Sequence, residues 1–133
     1  MTEKTFIASD EAFGSAMEFI ENELERVGCP IKVMMTVTVC FEEMFVNVAH
    51  YAYGDGNGEV TVSTDYSDGV FSITLDDGGI PFDPLSVNDP DITLSADERR
   101  IGGLGIFMVK KSMDNVSYKR ENDRNIFRME KKF

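Results

Sequence analysis

Glu43 and Asn47 stand four residues apart in FEEMFVNVAHYAY, Asp77 and Gly79 lie in LDDGGIPFDP, and Gly102, Gly103 and Gly105 crowd into GGLGIFMVKK. On a helix, positions i and i+4 share a face, so Glu43 and Asn47 would present a carboxylate and an amide side by side. A carboxylate accepts a proton from an attacking hydroxyl. An amide oxygen is a hard ligand for Mg²⁺, which keeps several waters and completes its shell with phosphates. In the second string, Asp76 and Asp77 enter a turn whose glycines permit close approach of a flat ligand. A carboxylate there can accept a hydrogen bond from an exocyclic amine, and Ile80, Pro81 and Phe82 supply an apolar wall. In the third, glycines just before an amphipathic helix leave backbone N–H groups and the positive helix end free to seat an anion. Arg99 and Arg100, immediately upstream, could hold a phosphate bidentately. Taken singly, these are an ordinary helix face, a strand-ending turn and a helix start. In this order they supply a metal ligand, a base reader and a phosphate cradle, the parts of an ATP pocket.

The elements that must position them are legible from periodicity. Lys4 to Ala8 reads as a short edge strand, and Ser9 with Asp10 and Glu11 as the cap and acidic first turn of a helix. That helix carries Phe13, Met17, Ile20, Leu24 and Val27 on one face and stops at Gly28, with Glu18, Glu21, Glu23 and Glu25 mostly on the wet side. Ile31 to Ala52 contains β-branched residues that suit a strand, but Val33, Val37, Phe41, Met44, Val48 and Tyr51 keep a period of about 3.6 well beyond strand length. The spacing therefore predicts one long helix after Pro30, ended by GDGNG at 54 to 58. Glu59 to Tyr66 and Val70 to Asp76 alternate as a hairpin around Ser67, Asp68 and Gly69. A third helix is expected over about Leu104 to Met113. Val116 to Arg120 and Ile126 to Lys131 form a last hairpin turned by ENDR. Residues 84 to 101, with two prolines, four acidic groups and weak periodicity, read as a long loop or lid. The expected fold class is α+β, a two-layer sandwich with helices on one face of a mostly antiparallel sheet.

Composition narrows the field. The 133 residues are 42% hydrophobic and suit one domain spanning 1–133. Thirteen Lys and Arg against 24 Asp and Glu leave a net charge of -11, which disfavours attraction to nucleic acid or anionic lipid. The expected partners are proteins or a small ligand. No apolar run reaches the roughly 18 residues of a spanning helix, and the N-terminus lacks the apolar core of a signal peptide, so a cytoplasmic protein is expected. Cys29 and Cys40 are too few and too irregularly placed for a metal knuckle and read as reduced, half-buried thiols. His50 is the only histidine, no Ser occupies a nucleophile elbow and neither Cys has an activating partner, which argues against a Ser-His or Cys-His hydrolase.

The three motifs resemble a family. Glu43-x-x-x-Asn47 is similar to the N box, Asp77-x-Gly79 to the first glycine box and Gly103-x-Gly105 to the second, of the GHKL ATPases with the Bergerat ATP-binding fold. More narrowly, NVAHYAY from Asn47, PFDPL from Pro81, GGLGIFMVKKSMD from Gly102, and Tyr118 with Asn125 resemble the anti-sigma factor serine kinases. The resemblance covers nearly the whole chain. It implies Glu43 as general base, Asn47 as Mg²⁺ ligand and Asp77 as reader of the adenine amino group. Tyr51, Gly79, Pro81, Phe82, Arg100, Gly102, Gly103, Leu104, Gly105 and Ile106 complete the implied ATP-binding set. It also implies a homodimer that phosphorylates a serine on a STAS-domain antagonist and regulates a sigma factor by partner switching. Two features depart from the pattern: Tyr51 stands where the family often has His, with His50 one step early, and the spacing of Arg99 and Arg100 does not match the family's lid. The rival readings are a non-catalytic nucleotide-dependent switch and a detached histidine-kinase-like ATPase domain. Glu43 favours catalysis over the first, and the lack of a helical phosphoacceptor segment argues against the second.

Overall fold

A computed structural model describes residues 1–54, 58–86 and 103–133. Within these, strands β1 (Thr2–Ile7), β2 (Glu59–Ser67), β3 (Val70–Asp77), β4 (Asn115–Glu121) and β5 (Arg124–Lys132) form one sheet in the order β1-β2-β3-β5-β4, every neighbouring pair antiparallel. Helices α1 (Phe13–Arg26), α2 (Ile31–Asn47) and α3 (Gly103–Ser112) contribute to the core on one side of it. This is the α+β two-layer arrangement expected from the sequence. The edge strand begins two residues earlier than its apolar pattern indicates, at Thr2.

The core lies where the inward side chains of the strands meet the helices. Val60, Val62, Phe71, Ile73, Leu75 and Met129 from the sheet face Ile20, Leu24, Val37, Phe41 and Phe45, all at 1% exposure or less. Both two-residue hairpin turns are built on positive φ: Asp68 and Gly69 at 54° and 77°, and Asn122 and Asp123 at 54° and 62°. Paired left-handed residues match the right-handed twist of the flanking strands and thereby set the register. Gly28, at φ 73°, closes α1, with Cys29 N–H donating to the Leu24 carbonyl at 3.0 Å and Gly28 N–H to that of Glu25 at 3.1 Å. That arrangement needs a residue tolerant of the left-handed region.

Two expectations need correction. Glu23 does not take the wet side of α1: it is 9% exposed, and its carboxylate accepts from the Thr64 hydroxyl at 3.0 Å and from Arg26 at 3.1 and 3.3 Å. The hydrogen bonds from Arg26 hold its carboxyl below the usual glutamate value, against the opposing effect of burial. The long helix is also not uniform. It is α-helical only to Asn47 and continues over Val48–Ala52 as a π-helical turn. Apolar periodicity does not reveal the change, because Val48 in the π turn is still partly packed on the core.

Candidate functional site

The π turn starts where the chemistry-bearing face of α2 ends. Asn47 Nδ2 donates to the Glu43 carbonyl at 2.7 Å, leaving the amide oxygen as the group Asn47 can offer to a ligand. The wider turn then carries Tyr51 and Ala52 round to the loop after β3, where the Ala52 carbonyl accepts from Ile80 N–H at 2.9 Å. Gly79 is required by this approach: a Cβ there would overlap the Ala52 carbonyl. His50, on the same turn, faces Asp10 at 2.8 Å, near α1.

The loop from Asp77 is held from several sides. Tyr53 hydroxyl accepts from Gly78 N–H and donates to the Glu59 carbonyl, both at 2.7 Å. Arg120 donates to the Gly79 carbonyl at 2.9 Å, and Arg124 Nε pairs with Asp76 Oδ1 at 2.5 Å. Asp77 itself is 4% exposed. Its Oδ1 accepts from Gly79 N–H at 2.9 Å and from Asn125 Nδ2 at 3.0 Å, so this buried carboxylate arrives pre-oriented.

Around Asp77 lies a recess of about 40 Å³, lined by Met44, Asn47, Val48, Tyr51 and Ala52 from the helical side. Ile80, Phe82 and Pro84 line it from the loop, and Tyr118, Asn125 and Phe127 from the last hairpin. That is room for roughly three waters or one edge of a planar ring. Apolar walls around one buried carboxylate fit an amine-bearing heterocycle, which would leave few polar atoms unpaired. The amide oxygen of Asn47 at the same recess fits a hard divalent cation whose other ligands come from phosphate and water. Among the described residues no cluster of three or more His, Cys, Asp or Glu is placed to hold a metal by itself.

The structure thus brings Asn47, Tyr51, Asp77 and Phe82 to one recess, with Gly79 in the loop behind it. Pro81 is exposed and does not line it, standing instead between Ile80 and Phe82. Gly103 and Leu104 form the start of α3. Gly105 meets Glu43 across the gap between α2 and α3, where a Cβ would overlap the Glu43 carboxylate. Ile106 is 4% exposed, so its side chain serves the core and only its backbone can serve a ligand. Arg99, Arg100 and Gly102, with residues 87–101 of the expected lid, lie outside the described residues; Pro84–Ser86 form a short 3₁₀ turn.

Sequence reasoning did not assign Tyr53 or Arg120 to the site, and it named Tyr118 and Asn125 only as part of the family resemblance, without a role. One signal was present: Asn125 interrupts the inward series with Phe127 and Met129, and a polar residue in such a series must find partners. Cys40 is buried, and burial pushes its thiol up to about 11, so it stays protonated at neutral pH. Among the described residues no helix is long and apolar enough to cross a membrane.

Comparisons with known proteins bear on the family and the fold. Residues 6–131 match the family described as histidine kinase-like ATPase domain. The chain is 23% identical over 111 residues to serine/threonine-protein kinase BtrW of Bordetella bronchiseptica, covering 83% of this chain and 78% of that protein. It is 27% identical over 96 residues to serine-protein kinase RsbW of Listeria monocytogenes, covering 68% of this chain and 61% of that one, less than two thirds of its length. The crystal structure of the RsbU and RsbW domains of Rv1364c from Mycobacterium tuberculosis matches with a TM-score of 0.65 and 12% identity, over 99% of this chain and 32% of that one. At that identity the likeness concerns the fold. With its motif order, its sheet and its recess in place, this chain belongs to the histidine kinase-like ATPase domain family, within the GHKL group that includes the anti-sigma factor serine kinases.

Proposed function

We propose that this chain binds Mg·ATP in the recess around Asp77 and transfers the γ-phosphoryl group to a serine of a STAS-domain antagonist, regulating a sigma factor by partner switching. The observation that carries the reading is the buried Asp77 carboxylate, held by Gly79 N–H and Asn125 and walled by apolar residues, beside the amide of Asn47. The kinase names of the related proteins support the reaction class. The STAS antagonist, the sigma factor and a homodimer rest on the resemblance of the motifs.

In this account Asp77 accepts from the exocyclic amine of the base. Val48, Ile80 and Phe82 exclude water from its ring, and Asn47 offers its amide oxygen to the metal. ATP supplies the electrophilic phosphorus, and a Mg²⁺ ion held by Asn47 would offset the charge on its phosphates. Glu43, one helical turn before Asn47, takes the proton of the attacking serine hydroxyl. The serine oxygen forms the new bond to phosphorus as the bond to the bridging oxygen breaks and ADP departs. Such transfer depends mainly on positioning and electrostatics, which a small rigid site can supply.

The test is transfer from γ-labelled ATP to a purified STAS-domain protein of the same organism. Glu43→Gln keeps the shape but removes the base, and should slow transfer by about 10²–10⁴-fold while nucleotide affinity stays near that of the parent. Equal rates for the two proteins would remove Glu43 from the role. Absence of any label on serine with the parent protein would remove the kinase assignment.

A further inference from the structure

The side chain of Asn125 has two N–H donors and an oxygen able to accept twice, and all four are engaged. Nδ2 donates to Asp77 Oδ1 at 3.0 Å and to the Ile80 carbonyl at 2.8 Å. Oδ1 accepts from the Tyr118 hydroxyl at 2.6 Å and from Phe82 N–H at 3.3 Å. The amide orientation is unambiguous, since two of its partners can only accept and the Phe82 amide can only donate. Asn125 is 6% exposed and has no polar group to spare for a ligand, although it lines the recess. What it touches is the reading loop at three points: the carboxylate, the carbonyl of residue 80 and the amide of residue 82.

The consequence falls on Asp77. With Gly79 N–H and Asn125 both on Oδ1, that oxygen is saturated, and Oδ2 is left as the acceptor a ligand's donor must find. The contact is set by register, because Asp77 of β3 lies directly opposite Asn125 of β5. Tyr118 stands on β4, its ring at the recess and its hydroxyl on Asn125.

We propose that Asn125, backed by Tyr118, is a positioning residue that makes the site selective for a purine with an amino group over one with a carbonyl at the same ring position. It does so by fixing which oxygen of Asp77 faces the base. The inference rests on the adenine-nucleotide reading of this recess. Without Asn125, the carboxylate turns to find new donors and the loop loses its ties at Ile80 and Phe82. An amine then gains little over a carbonyl oxygen, which a fixed Oδ2 repels.

The experiment is calorimetric titration of the parent protein, Tyr118→Phe and Asn125→Ala with Mg·ATP and with Mg·ITP, which carries a carbonyl in place of the amine. The parent should prefer ATP by about tenfold or more. Tyr118→Phe keeps the ring in the recess and removes one neutral hydrogen bond, so it should narrow the preference by about fivefold. Asn125→Ala should bring the ratio close to one, mainly by weakening ATP. A purely structural role would weaken both nucleotides in parallel, and that result, or unchanged ratios in both variants, overturns the inference. If Asn125→Ala fails to give a cooperative melt, the ratio in Tyr118→Phe decides. A parent protein that binds the two nucleotides equally overturns the adenine reading itself. A selective parent whose variants remain selective overturns only the role of Asn125.

Discussion

Glu43 lies against Gly105 so closely that a Cβ on residue 105 would overlap the Glu43 carboxylate. Two motifs far apart in sequence are therefore fitted to each other at the start of α3, and the glycine is what leaves room for the acid. The obstructing atoms belong to the end of a flexible side chain, which can swing away.

Gly105→Ala should consequently spare the fold and harm the chemistry. Alanine is favoured over glycine inside a helix by about 0.5–1 kcal/mol, so the melting temperature should hold or rise slightly. Phosphoryl transfer should fall, because Glu43 must leave its place. Thermal melts and labelled transfer on the same preparation check both halves, and a drop in stability with transfer retained would contradict the packing described.

Gly79→Ala should do the opposite. Its Cβ would strike the carbonyl of Ala52, which is backbone and is already accepting from Ile80 N–H at 2.9 Å. Neither neighbour can rotate aside, so a loss of about 1–3 kcal/mol in unfolding free energy is expected, of the size seen for overpacked sites. Urea denaturation measures it, and a midpoint equal to that of the parent would show that the loop yields.

These contrasts mark how far the sequence can be read. The acid and amide of α2 and the Asp77 turn are local patterns, and each sits in the element its spacing predicts, whereas Gly103 and Gly105, expected just before the third helix, lie within its first turn. The hairpins were readable from Asp68-Gly69 and from ENDR, because those turns depend on the residues within them. The π turn after Asn47 was not, since the partner of its last carbonyl, Ile80 N–H on Ala52, comes from a loop far along the chain. The burial of Glu23 depends likewise on Thr64, 41 residues away. Asn125 becomes intelligible only once β5 is registered against β3, which places it opposite Asp77.

Glu23 also predicts a pH dependence. Its folded-state value lies below the ordinary 4.5 because Arg26 and Thr64 hydrogen-bond the charged form. The charged carboxylate therefore stabilises the fold above pH 4.5, and that contribution is lost as the pH falls through the folded-state value. Arg26 is 61% exposed on its side chain, so solvent screening limits the gain, and Glu23→Gln should cost about 1 kcal/mol at neutral pH. The difference between parent and variant should shrink on acidification below pH 4.5. Stability curves at several pH values test this, and a difference that grows in acid would reverse the sign.

The most direct measurement is calorimetric titration of Mg·ATP into the parent protein and into Asp77→Asn. The substitution keeps the size of the side chain but removes the charge that receives the base amine. Loss of a charge-assisted hydrogen bond costs about 1.5–3 kcal/mol, so ATP affinity should fall tenfold or more while the melting transition remains cooperative. Equal affinity in the two proteins, or no binding of ATP by the parent, would contradict the assignment of this recess as the nucleotide site.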